Sequence, residues 1–274
     1  MQPEPHPCDL CGSQDAAKLP QAETFGSGGV YVCMGCGFVH VKERRSSEEI
    51  AKSWDDIYGD GYTAMWPAVF ARLNYVTEWY SQAYGWEGKS VLEIGAGEGR
   101  FLEMVRERGA HPVGIDPSAR NCQILRSKDI FAHHGTAEHC GTVGQFDVVA
   151  ILWTLENCQD CIRMLQIARD NLAVGGHVLV ATGSRILVPF KKPLHTYFGK
   201  NPPDTHCFRW SASSLASAMR KAGYTPERVN DHMQCDWMIM AGVRLPMPTG
   251  GLLYPRDDWR DVLDYFAEWE RIFP

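Results

Sequence analysis

The chain reads as an α/β protein built on a mostly parallel sheet with an antiparallel last strand, preceded by a small metal-binding module. Three observations predict this. From Gly88 onward apolar runs alternate with helical segments, the mark of a parallel sheet covered on both faces. The first of those runs enters its helix through a loop carrying Gly95, Gly97 and Gly99. Ahead of them stand two Cys-x-x-Cys-Gly motifs, beginning at Cys8 and Cys33. A chain of 274 residues has room for one α/β domain and an appendage, since single cores tend to split beyond about 250 to 300 residues.

A composition of 45% apolar and 22% charged residues excludes a disordered, collagen-like or coiled-coil chain. No uncharged apolar run reaches about 18 residues, so no membrane span is expected. Residues 1–6 hold neither a basic nor an apolar segment, which argues against a cleaved secretion signal and for cytoplasmic residence. A net charge of −6 speaks against tight binding to a polyanion, without excluding a local basic patch. The ten cysteines read as thiols rather than a disulfide scaffold, because the chain is long and lacks an export signal.

Four of those thiols explain themselves. Cys8-Asp9-Leu10-Cys11-Gly12 and Cys33-Met34-Gly35-Cys36-Gly37 each let two thiolates grip one ion, and the trailing glycine permits the positive φ of such a turn. Val30-Tyr31-Val32 runs into the second pair as a strand, and residues 38–41 leave it as another. The arrangement resembles a zinc ribbon or a rubredoxin-like pair of knuckles. That resemblance implies a closed, structural tetrathiolate site on Cys8, Cys11, Cys33 and Cys36. Zinc is the default ion, and iron can take its place. Cys158-x-x-Cys161 imitates the pattern but enters an amphipathic segment, where packing explains it. In residues 1–46 the basic Lys18, Lys42, Arg44 and Arg45 face five acids, so the module does not look like a phosphate-tracking surface.

The elements follow in order. Residues 47–87 form a helical linker or cap: polar and helical from 44 to 52, aromatic from Trp54 to Tyr62, then a helix over 67–84 with Phe70, Leu73, Val76 and Tyr80 as one buried stripe. The α/β domain proper is expected over 88–243. Strands are predicted at 90–94, 111–115, 130–134, 146–152 and 177–182, and helices at 101–108, 120–128, 162–172 and 211–222. Gly175-Gly176 closes the third of these helices. Runs 227–233 and 237–243 read as a final antiparallel pair. Residues 244–274 form a helical extension whose stripe of Trp259, Val262, Leu263, Phe266, Trp269 and Phe273 suits docking on this chain or on a second copy, as in a homodimer.

The loop Glu93-Ile94-Gly95-Ala96-Gly97-Glu98-Gly99-Arg100 departs from the dinucleotide fingerprint, because Arg100 stands where the third glycine would be. A dinucleotide needs its pyrophosphate against a helix N-terminus, whereas a ligand without phosphates needs only close backbone approach and an acid at the strand end. With Val113-Gly114-Ile115-Asp116-Pro117-Ser118 placing such an acid at the end of the second strand, the sequence resembles the class I S-adenosylmethionine-dependent methyltransferases, whose sheet is Rossmann-like. The resemblance implies that the backbone around Gly95, Ala96, Gly97 and Gly99 packs against the cofactor. It implies further that Glu93 lies beneath it and that Asp116, followed by Pro117, takes both ribose hydroxyls. Gly135-Thr136-Ala137-Glu138 falls where the adenine is flanked, bringing in Ala137 and Glu138. Trp153-Thr154-Leu155-Glu156-Asn157 falls beside the methyl donor, bringing in Trp153 and Thr154. Tyr62 reads either as closing over the cofactor or as packing on the next helix.

Methyl transfer from a sulfonium is an in-line displacement that rests on alignment and exclusion of water, with a base needed only for some acceptors. The long segment 183–210 lies at the carboxyl end of the sheet and suits a substrate cover. Its Arg185, Lys191, Lys192 and Lys200, against Asp204 alone, suit a negatively charged small-molecule acceptor. Residues 202–211 resemble a segment of the sugar C-methyltransferases that also carry an N-terminal zinc-binding domain. Of the Tyr-Asp-Glu-His run of those enzymes only Asp204 and His206 remain, and Asn157 replaces their histidine after the fourth strand. The departure favours O- or N-methylation of a small polar metabolite, with His206 as candidate base, over carbon methylation. An rRNA base methyltransferase with a zinc finger, and a cofactor-binding module without turnover, are the competing readings.

Overall fold

A computed structural model describes every residue except 1–5, 25–28, 60–65, 200–205, 248–250, 252, 254 and 274. The small module contributes β1 (Ala16–Lys18), α1 (Pro20–Thr24), β2 (Val30–Cys33) and β3 (Val39–Val41). Next come α2 (Ser47–Gly59) and α3 (Trp66–Tyr84). The body then alternates: β4 (Ser90–Ile94), α4 (Arg100–Arg106), β5 (His111–Asp116), α5 (Ala119–Ser127), β6 (Phe131–His134), α6 (Ala137–Cys140), β7 (Phe146–Leu152), α7 (Cys161–Asp170) and β8 (Leu172–Thr182). The chain closes with α8 (Leu194–Tyr197), β9 (Phe208–Arg209), α9 (Ala212–Lys221), β10 (Thr225–Val229), β11 (Met238–Val243) and α10 (Trp259–Ile272).

Seven strands form one sheet in the order β10-β11-β8-β7-β4-β5-β6. The five from β8 to β6 are parallel, and β11 and β10 are antiparallel additions at one edge. Strand β4 has β5 on one side and β7 on the other, so the chain order reverses there and a crevice opens above its carboxyl end. The central strands are apolar throughout because both faces are covered. Val149, Ile151 and Val180 pack toward α7 and α9, while Val148, Ala150 and Leu179 pack toward α3, α4 and α5.

The ribbon is not self-contained. Its sheet runs β1-β2-β3-β9, all antiparallel, and β9 comes from the segment after residue 205, pairing Val39 with Arg209 and His40 with Phe208. Phe38 stacks on Phe208 at 5.8 Å and meets Trp210 at 5.0 Å, so aromatic packing ties the knuckle to the body. Helix α10 buries Val262, Phe266 and Trp269 against Leu19, Val30 and Val32. Half of the predicted C-terminal stripe is thus buried against the chain itself, with Trp259, Leu263 and Phe273 partly buried beside it.

Several sequence expectations shift. Trp54 belongs to α2 rather than to a separate aromatic stretch. Phe70 is exposed, and the buried face of α3 is carried by Leu73, Val76, Thr77 and Tyr80. Gly175 and Gly176 sit inside β8 rather than ending a helix, at the place where the β7–β8 register shifts. Strands β1 and β9 and helix α8 span two to four residues, too short to show periodicity. Among the described residues no helix is long and apolar enough to cross a membrane.

The buried pair Arg44–Asp9, at 2.7 Å with both side chains almost inaccessible, locks the first knuckle to the body. Asp9→Ala leaves that guanidinium without its carboxylate and should lower unfolding free energy by about 3–5 kcal/mol, read by denaturant titration.

Candidate functional site

The knuckles bring all four predicted thiols together: the sulfurs of Cys8, Cys11, Cys33 and Cys36 lie within 4.8 Å of one another. Cys8 to Cys36 and Cys11 to Cys33 are each 3.5 Å apart. Tetrahedral thiolate coordination at about 2.3 Å sets sulfur pairs near 3.8 Å, so the cluster fits one ion. Hydrogen bonds from Cys36 and Cys8 hold the Cys33 thiol well below its ordinary range. The bond with Cys33 pushes Cys8 up to about 12 and raises Cys36 as well. Four clustered sulfurs, those of Cys8, Cys33 and Cys36 buried, cannot all ionise without a cation between them, which is what a bound metal supplies. None of the four cysteines lines the crevice, and four thiolates leave a tetrahedral ion no open position. Elemental analysis of the purified protein should find one tightly held ion per chain, and Cys33→Ser should remove it.

The second site is the crevice above β4. In the loop after it Gly95, Gly97 and Gly99 have φ of 77°, 53° and 78°, a region glycine enters without cost. A Cβ on Gly95 would collide with the Thr154 side chain from the end of β7. The loop is pinned to β5 by two bonds to the Ile115 carbonyl, from Gly95 N–H (2.8 Å) and Ala96 N–H (3.1 Å). A third bond runs from Gly97 N–H to Asp116 Oδ2 (2.7 Å). Gly99 stands apart from the crevice as the N-cap of α4, packed on Leu125.

Asp116 is already engaged by the protein. Its Oδ1 accepts from Ser118 N–H (2.9 Å) and Asn121 Nδ2 (3.0 Å), in addition to the Gly97 bond on Oδ2. A carboxylate offers about four lone-pair sites, so room remains for one ribose hydroxyl rather than both. Burial pushes its carboxyl upward. Neighbouring Glu93 is buried too, its Oε2 has no hydrogen-bond partner, and burial followed by the Asp116 charge drives its carboxyl well above the usual range.

A cavity of about 370 Å³ opens here, of a size for a small ligand. Glu93, Gly95, Ala96, Gly97, Asp116 and Pro117 wall one side, and Trp153, Thr154, Asn157 and His206 the other. The structure therefore joins the predicted cofactor residues to two of the predicted catalytic ones. A smaller apolar hollow of about 80 Å³ shares Gly95, Pro117 and Thr154 with it and is lined by Ala137 and Glu138, with Ile50 and Ala51 of α2 as a roof. Tyr62 and Asp204 lie outside the described residues. Arg185 is buried and donates to Asn230 Oδ1 and the Trp237 carbonyl. Lys191 donates to the His232 carbonyl and Lys192 faces Asp236. These three cations line neither cavity, and Lys200, the fourth, lies outside the described residues.

Among the cavity residues to which the sequence reading gave no role, three stand out. Trp54 reaches in from α2, and Arg72 of α3 lies 4.4 Å over the Trp153 ring. Trp153 itself holds φ of 51°, unusual for a bulky residue, with its N–H donating to the Ala181 carbonyl (2.7 Å). The third is Glu156, which is 1% exposed. Its Oε1 accepts from Gly183 N–H (3.3 Å), and its Oε2 has no partner. Burial pushes its carboxyl up to about 7. The signal available was an acid in the short stretch Trp153-Thr154-Leu155-Glu156-Asn157 that follows the apolar fourth strand of the body.

The donor set suits a cationic, phosphate-free ligand. Glu93 and Asp116 place carboxyl groups under the glycine loop, and Arg100, the basic residue at the start of α4, pairs with Glu98 at 2.8 Å. A pyrophosphate would meet these acids, whereas a sulfonium and an ammonium would relieve the cost of ionising them.

Residues 71–229, more than half of the chain, match the family described as a methyltransferase domain. The ubiquinone biosynthesis O-methyltransferase of Vibrio parahaemolyticus serotype O3:K6 is 28% identical over 155 residues, covering 54% of this chain and 64% of that protein. The chain thus matches under two thirds of the length of this curated relative. Among solved structures, a chain of the complex between the Haloferax volcanii Trm112 methyltransferase activator and a methyltransferase superposes with TM-score 0.56 at 17% identity, covering 72% of this chain and 98% of that one. The magnesium protoporphyrin IX methyltransferase of Synechocystis PCC 6803, with bound SAH, gives 0.52 at 16%, covering 72% and 95%. At such identities the structures show the shared fold.

Removing the Asp116 carboxylate frees the loop and deletes a charged acceptor, a change worth about 1.5–3 kcal/mol. Asp116→Ala should weaken S-adenosylhomocysteine binding by roughly 10- to 100-fold in calorimetry.

Proposed function

The chain belongs to the class I methyltransferase domain family, and on that premise we propose that it transfers a methyl group from S-adenosylmethionine to a hydroxyl of a small polar metabolite. The supporting observation is the single cavity in which the pinned glycine loop faces His206, Asn157 and Glu156. The cofactor supplies an electrophilic methyl on a sulfonium. The protein's part is to hold the acceptor oxygen in line with it, to keep water out, and to take up a proton.

Each zone of the cavity has a task in this reading. The apolar hollow beneath α2 takes the flat adenine, with Ala137 and Pro117 against its faces. Glu93 and Asp116 hold the polar centre, Asp116 through one remaining acceptor position. The end lined by Trp153, Asn157 and His206 takes the acceptor. Proton-accepting side chains at that end favour a hydroxyl over an amine, since a neutral amine attacks without help. A sugar or nucleotide-sugar hydroxyl is the narrower form of the reading, supported by the resemblance of residues 202–211 to sugar methyltransferases.

The knuckles serve as scaffold, with zinc as the ion we assign to their thiolates. Nucleic-acid capture has little support there: Arg44 is consumed by Asp9, Lys18 pairs with Glu23, and Lys42 donates to the Gln14 carbonyl. The free thiols suit a reducing compartment such as the cytoplasm.

The test is methyl transfer from radiolabelled S-adenosylmethionine to three acceptor sets: free and nucleotide-linked sugars, dihydroxybenzoates, and primary amines. Label on an ether oxygen is expected, and transfer confined to nitrogen would overturn the hydroxyl assignment. His206→Ala should lower turnover about tenfold while leaving S-adenosylhomocysteine affinity unchanged.

A further inference from the structure

Resting on the reading of a hydroxyl acceptor, we propose that Glu156 is the catalytic residue that takes the acceptor's proton, and that His206 orients the acceptor beside it. Three observations carry this. The Glu156 carboxyl lines the cavity, is all but fully buried, and leaves Oε2 without a partner while Gly183 N–H holds Oε1. A buried acceptor atom with nothing to accept from costs on the order of 1–3 kcal/mol, and a ligand hydroxyl would remove that cost. The single 3-10 turn Leu155–Asn157 fixes the group rigidly at the end of β7. Finally, Cys207 N–H donates to the Glu156 carbonyl at 2.7 Å, so the segment carrying His206 is hung from Glu156 itself. The two side chains wall one end of one cavity because their backbones are joined.

The step balances without any further reagent. A lone pair of the acceptor oxygen forms the new O–C bond as the C–S bond breaks and its electron pair goes to sulfur. The hydroxyl proton passes to Glu156 Oε2 and leaves to water after the products depart. Glu156 must start ionised, so turnover should fall as the pH drops through its own titration. The charges around it come from separate elements: Arg72 from α3, His206 from the segment before β9, and Glu93 and Asp116 across the cavity. Burial opposes ionisation, hydrogen bonding from its own N–H, the Thr182 hydroxyl and Gly183 N–H favours it with a smaller part from Arg72, and the balance puts the carboxyl at about 7, where a base is neither too weak nor already protonated.

Two measurements on the full chain test the assignment. With 3,4-dihydroxybenzoate or UDP-glucose as hydroxyl probe, Glu156→Gln should cut kcat at least about 100-fold and abolish the acid limb of the pH profile near 7. S-adenosylhomocysteine affinity should not change, Glu156→Asp should recover part of the rate, and His206→Ala should keep the limb. The second measurement needs no acceptor. A buried carboxyl raised on folding favours the native state below its unfolded value and loses that favour as pH rises through about 7. The melting temperature of Glu156→Gln should therefore match wild type at pH 4 and exceed it increasingly up to pH 8. Equal kcat and pH profile in Glu156→Gln, with methyl still passing to oxygen, would overturn the inference and leave the hydroxyl reading standing. Transfer to amines alone would overturn the reading itself. Melting curves that stay parallel across the pH range would also overturn the inference.

Discussion

The arrangement turns on one buried guanidinium. Arg44 has five N–H donors and the structure gives them five acceptors: the Val41 carbonyl, both Asp9 carboxylate oxygens, the Gln159 carbonyl and His40 Nδ1. Its flat face lies 4.5 Å over the Phe208 ring. A cation taken out of water is tolerated only when its donors are satisfied this completely. These partners come from four pieces: Asp9 from the first knuckle, Val41 and His40 from β3, Gln159 from the turn before α7, and the Phe208 ring from β9. His40 stays neutral in consequence, its titration pushed down to about 4 by burial and then by the Arg44 charge. The ribbon and the sheet share this one polar centre, which fixes where β3 and β9 meet.

Below the glycine loop the problem has the opposite sign. Glu93, Asp116 and Glu156 are carboxyl groups at 4%, 4% and 1% exposure around one cavity, and burial raises the titration of all three. The protein answers differently at each. Asp116 has three N–H partners and serves as the latch of the loop. Glu93 and Glu156 each keep one oxygen without a partner. A site with such oxygens at both ends is strained toward ligands that bring positive charge or hydroxyl donors, and it is poorly suited to phosphate. The absence of a third fingerprint glycine at Arg100 pointed the same way from the sequence.

Much of the body was legible because its signals are local and strong. The run 146–152 is apolar enough to be read as a covered strand, and β7 occupies those residues. Ser211 announces α9, and its side chain accepts from Ser214 N–H in a capping box. The knuckles were legible for a chemical reason, since four thiols at two equal spacings have few other uses. What could not be read depends on distant partners. Phe70 and Tyr80 share one predicted stripe, yet α3 turns only part of it inward, burying Tyr80 and leaving Phe70 exposed. Glu156 looks like any surface acid until the turn after β7 folds inward. Both oxygens of Asp116 seemed free for a ribose only because the sequence does not show that Gly97, Ser118 and Asn121 converge on them.

The division at residue 46 illustrates the deepest limit of reading along the chain. Five consecutive residues do four different things: His206 lines the cavity, Cys207 bonds the Glu156 carbonyl, Phe208 and Arg209 complete the ribbon sheet, and Trp210 closes on Ser184 and Phe38. The fourth strand of the small module and the His206 wall of the cavity are therefore the same piece of backbone. Displacing β9 from β3 would pull Cys207 from Glu156, and the cavity would lose that wall. A metal ion on the four thiolates would hold β2 and the turn into β3 in place. Its influence on the chemistry runs through strand pairing and packing rather than through charge.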